Sequence, residues 1–177
     1  DSLGRMAESA SYYYRTRDSD SWERLDPPTD GDDFFAEFYP VAVDTAKDVV
    51  YGFGEVDGYD AVLTVALDGS GRREKVLGRS DVDVDQLITI GRKNRVVGAS
   101  YATEKREVVY FDPELAALAG SLSAALPGEP LIDIIDANAD ESKLMIVASS
   151  DVDPGMSYLL DRATGQLNPI LPLREQL

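Results

Sequence analysis

The sequence predicts an all-β protein, a partial β-propeller of about three and a half four-stranded blades with one inserted helix over residues 113–126. Two observations carry this reading. An apolar or aromatic stretch ends in an aspartate four times, at Tyr12–Asp18, Leu63–Asp68, Val108–Asp112 and Tyr158–Asp161, each followed by residues that redirect the chain. Those aspartates are spaced by 50, 44 and 49 residues, the range of a blade of roughly 40–50 residues.

The elements follow in order. Ser11–Arg17 and Ser21–Leu25 read as the last two strands of a blade, assigned to residues 1–30, whose first half lies outside the chain. In the unit 31–79, Phe38–Val43 and Val49–Phe53 are apolar strands divided by a turn at Asp44–Asp48. Tyr59–Leu67 alternates as a third strand, and the turn Asp68, Gly69, Ser70, Gly71 leads into a short fourth around Val76 and Leu77. The unit 80–128 repeats the plan with Gln86–Ile90, a turn at Gly91–Asn94, Arg95–Tyr101 and Glu107–Phe111. It then departs from the plan. Asp112 suits a helix N-cap, Pro113 suits the first helical position, and Leu115, Leu118, Leu122 and Leu126 recur on one helical face before Gly128. That leucine stripe is expected to pack on the sheet and cover its edge. The unit 129–177 has strands at Leu131–Ile135, Lys143–Ala148, Ser157–Leu160 and Gln166–Leu171, with turns between them.

At 177 residues one domain can bury roughly 70% of the surface its unfolded chain exposes, and 44% hydrophobic with 28% charged residues is the composition of a soluble globular protein. No run approaches the roughly 18 apolar residues of a spanning helix. The chain begins at Asp1 without a basic-then-apolar leader, which reads as a processed product or an excised piece. It contains no Cys and no His, so these residues assemble neither a thiolate site nor a Ser/His/Asp triad. A net charge of −16, from 33 acidic and 17 basic residues, repels phosphate backbones and argues against nucleic acid as a partner.

Several local patterns invite a sharper reading and fail it. Asp136, Asn138, Asp140 and Glu141 resemble the start of a calcium loop, but Glu141 stands where Gly is required and Val147 where the distal Glu belongs. A turn held by Asx hydrogen bonds is the better reading, as it is for Asp151, Asp153, Pro154 and Gly155. Asp81, Asp83 and Asp85 alternate with Val82 and Val84, which in a strand puts three carboxylates on one face, read as a solvated edge and not a metal site. Tyr12, Tyr13, Tyr14 and Trp22 suggest a stacking platform for bases or sugars, against which stand the preference of aromatics for strand packing and the net charge. Gly69, Ser70 and Gly71 are too short for a nucleophile elbow. The paired carboxylates of a propeller glycosidase cannot be placed at a defined separation. No catalytic, cofactor-binding or metal-binding residue is therefore assigned, and no cofactor is expected.

Two segments carry a family resemblance: VVYFDPELAALAGSLSAALPG, residues 108–128, and DESKLMIVASSDVDPGMSYLLDRATGQL, residues 140–167. In the first a strand ends in Asp-Pro and passes into a Leu/Ala helix closing with Pro-Gly; the second has an Asp-Pro-Gly turn, an aromatic strand and an Asp-Arg-Ala-Thr-Gly hairpin. With the blade spacing, the chain resembles the propeller of the prolyl oligopeptidase family of serine peptidases, in particular bacterial dipeptidyl and acylaminoacyl peptidase-like members. The tail Leu173–Leu177 departs from the Arg-Pro-aromatic ending of those relatives. The resemblance implies a non-catalytic segment that gates the access of short peptides to an α/β-hydrolase domain carried beyond these residues. It also implies the remaining blades of a parent chain as partners and a soluble location, periplasmic or cytoplasmic, in a bacterium. The alternative is a stand-alone binding scaffold completed by oligomerisation.

Overall fold

The computed structural model describes residues 11–16, 19–25 and 38–174. Over these the protein is all-β apart from one helix, and its strands form four antiparallel sheets. A two-stranded pair, β1 (Tyr13–Tyr14) and β2 (Glu23–Arg24), comes first. A four-stranded meander follows, from β3 (Phe38–Asp44) and β4 (Val49–Val56) to β5 (Tyr59–Ala66) and β6 (Arg73–Leu77). The third sheet is β7 (Val84–Ile90), β8 (Arg95–Ala102) and β9 (Arg106–Tyr110), after which α1 (Pro113–Ala125) takes the place of a fourth strand. The last sheet is again a four-stranded meander, β10 (Leu131–Ala137), β11 (Lys143–Ser149), β12 (Met156–Asp161) and β13 (Gln166–Pro172).

The recurring aspartates have a common physical role. Asp68, Asp112 and Asp161 each turn a carboxylate oxygen onto the amide two residues ahead, those of Ser70, Glu114 and Ala163, at 3.0 Å in all three cases. After Asp68 and Asp161 the chain enters hairpins that use Gly69, Gly71 and Gly165 at positive φ. After Asp112 the same geometry starts a helix. Pro113 presets the helical φ, and Asp112 also accepts the amide of Leu115. Asp18, the first of the four, lies outside the described residues, as do the strand ends placed at Arg17 and the unit boundary at 30/31.

Successive sheets touch in chain order, β5 and β3 against the third sheet and β7 and β9 against β10, so an apolar layer separates each sheet from the next. Leu25, Phe38, Val50, Leu63 and Val65 fill the first layer, with Tyr12 and Tyr14 packed against them. Tyr51, Val62, Val84, Val96 and Ala99 fill the second. The third, beneath α1, holds Ile88, Ile90, Val97, Leu115, Ile134, Leu144 and Ile146. Because neighbours in sequence serve opposite layers, as Val62 and Leu63 do, the middle strands β5 and β8 are buried on both faces. Leu115 is fully buried and Leu118, Leu122 and Leu126 pack beside it, so the leucine stripe covers the sheet.

Two placements differ from the sequence expectation. Strand β7 begins only at Val84, so Asp81, Asp83 and Asp85 do not share a strand face. Each takes its own partner: Asp81 the Arg79 guanidinium at 2.8 Å, Asp83 the amide of Asp60 at 2.8 Å, and Asp85 the Arg106 guanidinium at 2.8 Å. Asp81 and Asp83 precede the strand, in and just after a bend, and Asp85 lies within it. The aromatic cluster also divides. Tyr12 and Tyr14 pack into the first core layer, whereas Tyr13 and Trp22 stay exposed and the Arg15 guanidinium lies 5.5 Å from the Trp22 ring centroid. Strand alternation sends Tyr13 to the face opposite its neighbours. Among the described residues no helix is long and apolar enough to cross a membrane.

Candidate functional site

The first hairpin of each of the three larger sheets turns at the same end of the stack. There Val43–Ala46, Gly91–Lys93 and Ala139–Glu141 converge around an open cleft of about 310 Å³. Side-chain hydrogen bonds fix each turn. Asp44 accepts the amides of Ala46 and Lys47 at 3.0 and 3.2 Å, while Asn138 accepts the amide of Lys143 at 2.9 Å and donates to Ser142 at 3.0 Å. Asp136 reaches across to the next sheet and accepts the amide of Gly91 at 3.1 Å. The Asx reading of the segment 136–142 therefore holds, and its carboxylates are committed to turn amides, hydroxyls and Arg95.

Arg95 forms the wall of the cleft. Its Nε and Nη2 hold both oxygens of Glu141 at 2.7 and 2.6 Å, and its Nη1 holds Asp112 at 3.0 Å. The fork geometry of a guanidinium suits this bidentate grip. The Glu141 hydrogen bonds push Arg95 further above its already high pKa. At Asp112 burial alone would raise the carboxyl, but the bonds from Arg95 and from the amides of Glu114 and Leu115 outweigh it and hold it below the usual range. Glu141 itself sits at φ 55°, a left-handed backbone uncommon for a non-glycine and here part of the turn that aims its carboxylate at Arg95. Arg162 extends the network by donating to the Glu141 carbonyl at 3.3 Å and to Glu114 at 3.0 Å. The third sheet, the helix and the last sheet are thus joined by one chain of charges.

A second polar cluster lies at the opposite end of the strands. Arg106 pairs with both Asp85 oxygens at 2.8 Å and with Ser100 Oγ at 2.8 Å, and Ser100 donates to Gln86 at 3.3 Å. The Arg106 hydrogen bonds lower Asp85, while burial raises Asp133 on β10, only partly offset by the Arg106 charge. Nearby, Arg79 stacks 4.5 Å from the Tyr101 ring centroid, and the Tyr101 hydroxyl donates to Glu107 at 3.0 Å.

Ser100, the buried hydroxyl nearest a charged group, faces a guanidinium and an amide oxygen, neither of which removes its proton. Among the described residues no group of three acidic side chains is arranged to hold a metal ion. The sequence assigned no site residue, and the clusters above went unread because their members, Arg95 with Glu141 or Arg106 with Asp85, lie 46 and 21 residues apart. Comparison with known proteins found no matching family model, no matching curated protein and no matching solved structure.

Proposed function

We propose that this chain is a non-catalytic β-propeller segment of a serine peptidase of the prolyl oligopeptidase family, gating the passage of short peptides to a hydrolase domain carried outside these residues. The observation that carries the reading is the succession of antiparallel meanders stacked in chain order with an apolar layer between each pair. A propeller is built from that unit. The segment 108–128 on which the resemblance rests forms a strand, an Asp-Pro cap and a leucine-striped helix. The clefts are lined by ion pairs and turn amides, which suits exclusion and positioning rather than bond cleavage.

The test is the coding sequence that follows Leu177. A Gly-x-Ser-x-Gly motif within about 200 residues, one to two domain lengths, supports the reading, and its absence removes it. A second reading, a binding scaffold completed by another copy of the chain, is favoured by one observation: Leu159 and Leu171 are exposed on the last sheet and Tyr13 and Trp22 on the first. Light scattering separates the two, because the scaffold requires a mass that rises with concentration.

A further inference from the structure

A groove of about 560 Å³ runs between the C-terminal end of α1 and the turn that joins β11 to β12, within the size range of ligand sites. We infer that it binds an extended peptide segment in which a lysine or arginine is flanked by apolar side chains. Neither the propeller reading nor the presence of a hydrolase domain is needed for this.

The floor is apolar, formed by Leu126, Ala148, Met156 and Tyr158, with Pro127 and Pro130 along one wall. The charged residues that line it, Asp151 and Asp153, are both acidic. Among the described residues neither carboxylate has an ion-pair partner; Asp153 accepts only the amide of Gly155, at 2.9 Å. The clefts beside Arg79 and Arg95 differ, since each carries basic side chains of its own, and there Asp81 and Glu141 are already held by guanidinium groups. A bound cation therefore gains two uncompensated charges over an apolar surface. The net charge of −16 draws such a ligand in from a distance and repels an acidic one.

Both walls are set before any ligand arrives. Ser123 Oγ donates to the Pro130 carbonyl at 2.7 Å and the Glu129 amide to Leu126 at 3.3 Å, which holds the segment after the helix. On the other side, the amides of Val152 and Asp153 donate to Ser150 Oγ at 3.3 and 3.1 Å, and the Ser150 amide to the Asp153 carbonyl at 2.9 Å. This turn presents Val152 at 88% exposure beside the groove. A lone exposed valine is ordinary; one held out by a fixed turn next to an apolar floor enlarges a contact surface. A pre-formed site avoids the ordering cost that weakens binding to mobile loops.

The experiment is fluorescence anisotropy of labelled, end-blocked pentapeptides titrated with the 177-residue chain. The sequence Ser-Leu-Arg-Leu-Ser is compared with Ser-Gly-Arg-Gly-Ser, of the same charge, and with Ser-Leu-Gln-Leu-Ser, of the same apolar content. The first is expected to bind at least about tenfold more tightly than either. Asp151→Lys is expected to weaken it about fivefold or more, whereas Glu74→Lys, with the same change in net charge on distant β6, is expected to leave it within about twofold. Val152→Lys, on the exposed tip, repeats the test should Asp151→Lys unfold on a thermal melt. Equal binding of the two arginine peptides, or equal loss in the Asp151 and Glu74 variants, would mean diffuse attraction to an acidic surface and would overturn the assignment.

Discussion

The Tyr110 hydroxyl accepts the amide of Ile134 at 2.8 Å and donates to the carbonyl of Ile132 at 3.0 Å. Strand β10 is the first of its sheet, so one edge of its backbone has no neighbouring strand. A side chain from the preceding sheet thus occupies two edge groups that would otherwise seek water or another strand. Burial accordingly raises the Tyr110 phenol well above its ordinary value.

Tyr110→Phe keeps the ring in its apolar layer and removes both bonds. The expected loss is about 1–3 kcal/mol, the cost of leaving part-buried backbone groups unsatisfied. Urea unfolding measures it, with the midpoint falling and the slope unchanged. An unaltered midpoint would show that water replaces the hydroxyl without cost.

Gly98 on β8 faces the same tyrosine. A Cβ there would lie 2.6 Å from the Val109 carbonyl and 3.2 Å from the Tyr110 Cα, both backbone atoms of the paired strand. Gly98→Ala must therefore push β8 and β9 apart, and a loss of about 1–3 kcal/mol is expected from overpacking. Gly120, on the open side of α1 with nothing within 4 Å, is the control. Gly120→Ala should raise the thermal midpoint, since alanine is the better helix former by about 1 kcal/mol.

The contrast between these glycines marks what the sequence makes legible. Local chemistry is readable: Asp112 followed by Pro113 announces a helix start, and Asp161 followed by a downstream Gly165 announces a hairpin, because partner and signal lie within a few residues. Close approach is not. Gly98 and Gly120 look alike in sequence, and only the stacking of strands tells that one touches backbone and the other touches nothing. Burial on both faces removes the strand period in β8 and in β5, where Tyr59–Leu67 is expected to alternate but consecutive residues from Ala61 to Ala66 are buried because each faces a different layer. The Asp81, Asp83, Asp85 series misled for the opposite reason. Its alternation is regular, but the strand begins at Val84, after two of its members.

Arg95 supplies a third prediction. Its fork holds Glu141 through two bonds and Asp112 through a third, and lysine carries the charge without the planar geometry. Arg95→Lys should therefore behave as a loss, of about 1 kcal/mol after allowance for its partial exposure. A double-mutant cycle with Glu141→Gln isolates the pair, and a coupling energy of about zero would make the contact a surface ion pair of no consequence.

Asp85 and Asp133 lie on either side of Arg106 and respond to acid in opposite directions. Asp85 is held below the usual carboxylate range by the Arg106 hydrogen bonds. The folded state therefore favours its ionised form, and the stability this contributes is fully present above the unfolded value of about 3.9 and is lost as the pH falls through the depressed folded value. Asp133 is raised by burial. Its ionised form is disfavoured on folding, so its penalty is fully present above the raised folded value, shrinks as the pH falls below that value, and vanishes below about 3.9. Asp133→Asn removes the penalty and nothing else that titrates. The variant should be more stable than the parent at pH 7, and the difference should close as the pH falls toward 4. Arg106→Gln should do the reverse, destabilising at pH 7 by releasing Asp85 and removing the Arg106 charge that partly offsets the burial of Asp133. Urea midpoints from pH 3 to pH 8 test both. A difference between Asp133→Asn and the parent that stays constant across the range would show that the side chain acts through packing, not through its charge.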